Sequence, residues 1–162
     1  MAGELYPVAG MKIYIGGTKA SQSTDFVASD FASESWVEID GWETVGAIGD
    51  NSEVVLFQLV NRNRDLKQKG TSNAGTMENV FAQLVDDAGQ IDLLVASAPS
   101  NKNNYAFRID LNDTPTGGTS PSKRYFVGLV MTAEEQGGGA NDPRRLGATI
   151  EINSNITRVA AV

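Results

Sequence analysis

The sequence predicts a β-dominated domain, and three observations carry that expectation. Apolar and polar residues alternate with a period of two through several long segments. Seventeen glycines against four methionines favour frequent turns over long helices. A single segment has the spacing of a helix. The length of 162 residues, with 41% hydrophobic and 20% charged side chains, fits one domain able to bury its own core without metals or disulfides.

In chain order, the first strand candidates are the short runs Lys12–Ile15 and Trp36–Ile39. The run Glu53-Val-Val-Leu-Phe-Gln-Leu-Val60 is apolar on both faces apart from Gln58, the pattern of a central strand covered on each side. Residues 76–84 form another strand. Next, Ile91, Leu94, Val95 and Ala98 fall at i, i+3, i+4 and i+7, so a helix over about 87–98 should dock that face on the sheet. Asp87 with Gln90 three residues on is an Asp version of the capping box, and Pro99 stops the helix.

Beyond the helix, Tyr105, Phe107, Ile109 and Leu111 alternate with Asn104, Ala106, Arg108 and Asp110, a half-buried strand. Two long antiparallel strands follow. One sets Tyr125, Val127, Leu129 and Met131 against Arg124, Gly128 and Thr132. The other sets Leu146, Ala148, Ile150 and Ile152 against Gly147, Thr149, Glu151 and Asn153. Residues 16–35, 112–122 and 136–143 are rich in Gly, Ser, Thr, Asn and Pro and read as loops; their length suggests contacts with neighbouring subunits. No internal repeat is present.

The net charge of −7 has the wrong sign for phosphate-backbone binding. It is also uneven. Residues 1–60 hold Lys12 and Lys19 against nine acids, whereas 61–69 hold Arg62, Arg64, Lys67 and Lys69 against Asp65 alone. An acidic body with one basic stretch can join unlike surfaces of identical copies. The first residues, Met-Ala-Gly-Glu-Leu-Tyr-Pro, read as neither signal peptide nor membrane anchor.

With no histidine and no cysteine, Ser-His-Asp, Cys-His and most zinc chemistry is excluded, so the chain is expected to be no enzyme and to carry no catalytic residue, metal or cofactor. The adjacent acids Asp86/Asp87 and Glu134/Glu135 would diverge on a helix or strand and read as surface charge. Asp110-Leu-Asn-Asp113 and Asn141-Asp142 lack calcium-loop spacing and suit turns. Gly137-Gly-Gly139 lacks the Lys-Ser/Thr of a phosphate loop. Asn155-Ile-Thr157 is a glycosylation sequon by letter alone. Trp36 and Trp42 could form a carbohydrate platform on a non-enzymatic binding module, but two tryptophans in a small β-protein more often fill a core or interface.

A collinear set of short motifs spans roughly residues 11–155: Trp36-Val-Glu-Ile-Asp-Gly-Trp, Val45-Gly-Ala-Ile-Gly-Asp-Asn-Ser-Glu-Val-Val, the basic loop, Lys69-Gly-Thr, Gly75-Thr-Met, Asp86-Asp-Ala-Gly-Gln, Tyr105-Ala-Phe-Arg-Ile, Tyr125-Phe-Val-Gly-Leu-Val-Met and Gly139-Ala-Asn-Asp. In this order the chain resembles the major tail tube proteins of long-tailed, siphovirus-like bacteriophages. Glu78-Asn79 departs from the plain alternation expected after Gly75-Thr-Met.

The resemblance implies a single tail-tube domain: an antiparallel β-sandwich or barrel (11–153) with one flanking helix, an N-terminal arm (1–10), a basic assembly loop (61–71) and a C-terminal tail (154–162). It implies a structural, non-enzymatic subunit that forms homo-hexameric rings stacked into a hollow tube with an acidic lumen. The implied partners are a tape-measure protein, tail terminator and tip proteins, and viral DNA that passes through without specific binding. The implied location is the virion tail, with assembly in the host bacterial cytoplasm and no membrane anchor. Arg62, Arg64, Lys67 and Lys69 become assembly-interface residues. The tube protein of a related tail-like injection or secretion device, which shares the tube fold, is the alternative.

Overall fold

A computed structural model describes residues 5–162. The elements run β1 (Lys12–Thr18), a 3-10 turn (Ala28–Phe31), β2 (Val37–Glu38), β3 (Trp42–Thr44), β4 (Asn51–Phe57), β5 (Leu66–Asn73), β6 (Thr76–Ala82), α1 (Ala88–Ala96), β7 (Tyr105–Asp110), β8 (Lys123–Gln136), β9 (Arg145–Ile152) and β10 (Thr157–Val159). One curled antiparallel sheet has the order β2-β1-β7-β8-β9-β6-β3, with β10 added beside β8. β4 and β5 form a separate two-stranded ribbon. The fold is mainly β with one α-helix among the described residues, as the alternation predicts.

The main core fills the concave face of the sheet. Ile13 and Ile15 from β1, Met77 and Phe81 from β6, Phe107 and Ile109 from β7, and Leu146, Ala148, Ile150 and Ile152 from β9 all point into it, closed by Leu93 and Ala96 of α1. These positions follow the period of two. Asn79 shares this buried face of β6 between Met77 and Phe81, so the Glu78-Asn79 departure is an alternating strand with one polar side chain turned inward.

On β8 the structure corrects the predicted face. Phe126 and Val130 enter the main core, whereas Val127 and Tyr125 belong to a second cluster and Met131 is exposed. A register shift between Val130 and Thr132 moves the parity, so Ala133 packs on the core beyond it. An unbroken alternation cannot anticipate this, because the bulge and the second cover are tertiary.

That second cover comes from the 16–35 segment. Phe26 and Phe31 pack on Ala106 and Val127 across the opposite face of β7 and β8, joined by Trp36 and Tyr125. The Phe31 and Tyr125 rings stack at 5.1 Å. The β7 strand is therefore covered on both faces where half-burial was expected. The two charged residues on this second face, Arg108 and Asp110, pair at 2.9 Å, and Arg108 also lies over the Tyr14 ring at 3.9 Å.

The helix also docks on an unexpected face. Gly89, Gln90, Leu93 and Ala96 are buried, while Ile91, Leu94 and Val95 are exposed. Close approach decides it: a Cβ on Gly89 would sit 2.2 Å from the Glu38 carbonyl oxygen. Gln90 then reaches across, its Nε2 donating to the carbonyls of Asp40 (2.9 Å) and Ala82 (2.8 Å) and its Oε1 accepting from the Leu84 N–H. Asp87 caps the helix by accepting from the Gln90 N–H at 2.9 Å, as predicted. The return half of a capping box is absent because the Gln90 amide is used in these contacts.

Candidate assembly surface

The largest correction concerns residues 53–60. Instead of a central strand covered on both sides, they form β4 and its extension in the ribbon, where Val54 is 65% and Val60 fully exposed, and Val55, Leu56, Phe57 and Leu59 are exposed as well. A strand apolar on both faces implies cover on each side, and the described chain supplies none. Burial of apolar side chains is worth about 1.5–3 kcal/mol each, so this ribbon carries an unrealised stabilisation that a partner surface would release.

Cross-strand register sorts its side chains. Val54 lies opposite Lys69 and Leu56 opposite Lys67, so these four share one face; Val55, Gln68, Phe57 and Leu66 share the other. The sequence-predicted quartet is thus divided. Lys67 and Lys69 sit on β5, whereas Arg62 and Arg64 lie in the turn at the ribbon tip. All four are exposed and none has an acidic partner within 4.0 Å among the described residues.

The ribbon joins the body at two glycines in conformations that L side chains rarely adopt, Gly49 (φ +155°) and Gly75 (φ +72°). A side-chain anchor holds the connection leading into it: Asn79 Oδ1 accepts from the Gly46 N–H at 3.0 Å. Sequence reasoning missed the Asn79 anchor, although a lone Asn inside an alternating strand was the available signal.

A second surface is the convex side of β6, β9 and the outer part of β8. The partners Glu78 and Thr149, Leu129 and Glu151, and Glu134 and Gly147 share it, all at least partly exposed. Three carboxylates therefore line a face whose one base, Arg145, pairs with Glu43 of β3 at 2.8 Å.

The remaining candidates have structural roles. Asp110 pairs with Arg108, and Asp113 Oδ1 accepts from the Ser122 N–H at 2.7 Å. That loop carboxyl is held below its ordinary range, first by the Ser122 hydroxyl and further by backbone N–H groups. Asp142 accepts from the Gly139 N–H, and Glu135 accepts from Gln83 Nε2. Among the described residues no group of three or more acids is placed to hold a metal ion. In the sequon, Asn155 Oδ1 accepts from the Phe26 N–H at 2.7 Å while Asn155 Nδ2 and Thr157 Oγ1 donate to the Phe26 carbonyl, clamping the aromatic cluster. Trp42 stacks on Phe81 and Trp36 belongs to the second cluster, so neither forms an open platform.

Of the expected arms, residues 1–4 lie outside the described residues. Ala9 accepts from Asn112 Nδ2 at 2.8 Å. Toward the other end, β10 pairs with residues 123–125 of β8, and Val162 exchanges backbone hydrogen bonds with Ser120. No helix among the described residues is long and apolar enough to cross a membrane.

No protein-family model and no curated protein matches the sequence. Solved structures do. The chain is similar to one in the six-fold symmetrised baseplate of the anti-feeding prophage (TM-score 0.73, 8% identity, 99% of this chain and 98% of that one). It is similar to one in the sheath/tube terminator of the extracellular contractile injection system PVC (TM-score 0.70, 13% identity, 99% and 100%). It is also similar to the SPP1 tail tube (TM-score 0.66, 14% identity, 95% and 80%). At these identities the likeness is one of fold.

Proposed function

We propose that the chain is a structural subunit of a phage tail tube, closing as homo-hexamers into rings that stack into a hollow conduit for viral DNA. The observation that carries this reading is the ribbon: a strand of exposed apolar residues, paired among the described residues with its own hairpin partner alone, is a surface built for another protein copy. The fold likeness to the SPP1 tail tube supports the same reading.

The basic ribbon, with Arg62, Arg64, Lys67 and Lys69, joins copies whose bodies are acidic, and the 1–10 and 154–162 segments add contacts between rings. The face carrying Glu78 and Glu151 lines the bore, where carboxylates repel DNA so that it slides without specific binding; screening confines that field to about 8–10 Å at physiological salt, which suits a narrow channel. A tape-measure protein and terminator and tip proteins complete the assembly, formed in the host cytoplasm and resident in the virion. No catalytic step is part of this role.

A second reading, the tube of a tail-like injection device, is favoured by the likeness to the anti-feeding prophage and PVC chains. It uses the same ring and bore with a different cargo.

Negative-stain electron microscopy of the purified protein at rising concentration tests the proposal. Hollow striated rods are the expected result; monomers persisting at every concentration would overturn it.

A further inference from the structure

The long strand β8 is paired unequally on its two sides. Along one edge, β9 and then β10 accompany it from Gln136 back to Lys123. Along the other, β7 reaches only from Lys123 to Gly128. Residues 129–136 therefore have no backbone partner on that side among the described residues. A cleft of about 260 Å³ separates the start of this edge, Leu129–Met131, from the turn that follows α1. Further along, Glu134, Glu135 and Gln136 are exposed.

An unpaired strand edge is a template for another strand. Other margins of the sheet are short or covered. β2 and β3 offer two and three residues. The free side of β6 is occupied by the segment through Gly46, where an added Cβ would meet the Glu78 carbonyl oxygen at 2.5 Å. The chain also contains a matching donor: β5 has eight residues, and its outer edge is unpaired because the ribbon has only two strands.

We infer that the open edge of β8 receives β5 of a second copy, so that the ribbon continues the sheet of its neighbour. This rests on the tube reading above and names the surface that the ribbon occupies. Side-chain chemistry fixes which ribbon face turns outward. With Lys67 and Lys69 on the convex face, both ammonium groups come alongside Glu134. The opposite ribbon face, Val55, Phe57 and Leu66, then turns to the side on which α1 packs, where Leu94 and Val95 are exposed. A slip of one residue reverses both relations, setting lysines against apolar helix side chains and the apolar face in water. Charge and apolar patterning thus select which face of the ribbon turns outward and reject the one-residue slip.

The cysteine-free chain permits a direct test. Lys69→Cys and Glu134→Cys variants are prepared separately, then mixed under assembly conditions with a short bismaleimide. Covalent dimers are expected from the mixture and not from either variant alone. Separately, Glu134→Lys should raise the concentration needed for tubes by about tenfold, and Lys67→Glu with Lys69→Glu in the same chain should restore it. Circular dichroism and thermal unfolding establish that each variant is folded. Tubes that form equally well from Glu134→Lys, with no dimer in the mixed sample, would overturn the inference and leave the tube reading standing. A wild-type chain that never assembles would remove both.

Discussion

Asn79 accepts the indole N–H of Trp42 at 3.1 Å and the backbone N–H of Gly46 at 3.0 Å through a single buried amide oxygen. One side chain in the middle of β6 thereby fixes both the edge strand β3 and the segment that leads to the ribbon. Replacing Asn79 by Leu keeps the strand apolar but strands two donors, each costing about 1–3 kcal/mol. Chemical denaturation should show a loss of about 2 kcal/mol or more, whereas a substitution at exposed Glu78 should change stability by less than about 0.5 kcal/mol.

The orientation of α1 makes opposite demands on neighbouring residues. Leu93→Ala should cost about 2–5 kcal/mol because Leu93 is fully buried, and Ile91→Ala should cost about 1 kcal/mol or less because Ile91 is 47% exposed. Gly89→Ala would force the helix away from the Glu38 carbonyl and should cost about 1–3 kcal/mol. Equilibrium unfolding of the three variants checks the order. A helix docked by its Ile91, Leu94 and Val95 face would reverse the first two.

The ribbon should separate folding from assembly. Val55→Ser with Phe57→Ser should lower the unfolding midpoint of the monomer less than Leu93→Ala does, because the two side chains are 38% and 48% exposed, while abolishing tubes in the electron microscope. Changing Arg62, Arg64, Lys67 and Lys69 together to Glu should give the same pair of results. Normal tubes from either variant would show that the ribbon plays no part in joining copies.

Acid should loosen the 112–122 loop. The Asp113 carboxyl sits below its ordinary 3.8 because the Ser122 hydroxyl, then backbone N–H groups, favour its charged form. A depressed carboxyl contributes stability that is present above its unfolded value and is lost as pH falls through the folded one. Asp113→Asn should therefore flatten the decline of the melting temperature below about pH 4, and melting curves recorded at descending pH measure it.

Much of the sheet was legible because burial on one face writes a period of two into β6 and β9. The ribbon departs from expectation because Val54 to Phe57 have the composition of a strand covered twice, and sequence does not say whether the cover belongs to the same molecule. The helix face was obscured because a glycine and a glutamine decide its docking, and neither weighs in an apolar pattern. On β8, the bulge beyond Val130 breaks a parity that looks continuous in the sequence. The basic quartet was visible as charge, yet its division between a strand face and a tip depends on hairpin register.

The clamp between Phe26 and the Asn155/Thr157 pair joins residues 129 and 131 positions apart. Ribosomes deliver about 5–20 residues per second, so Phe26 emerges many seconds before its hydrogen-bonding partners exist. The aromatic cover over β7 and β8 consequently closes late, after Asn155 and Thr157 have been made. A nascent chain is thereby kept from presenting a finished subunit to its neighbours while it is still being synthesised, a delay imposed by the order of the sequence itself.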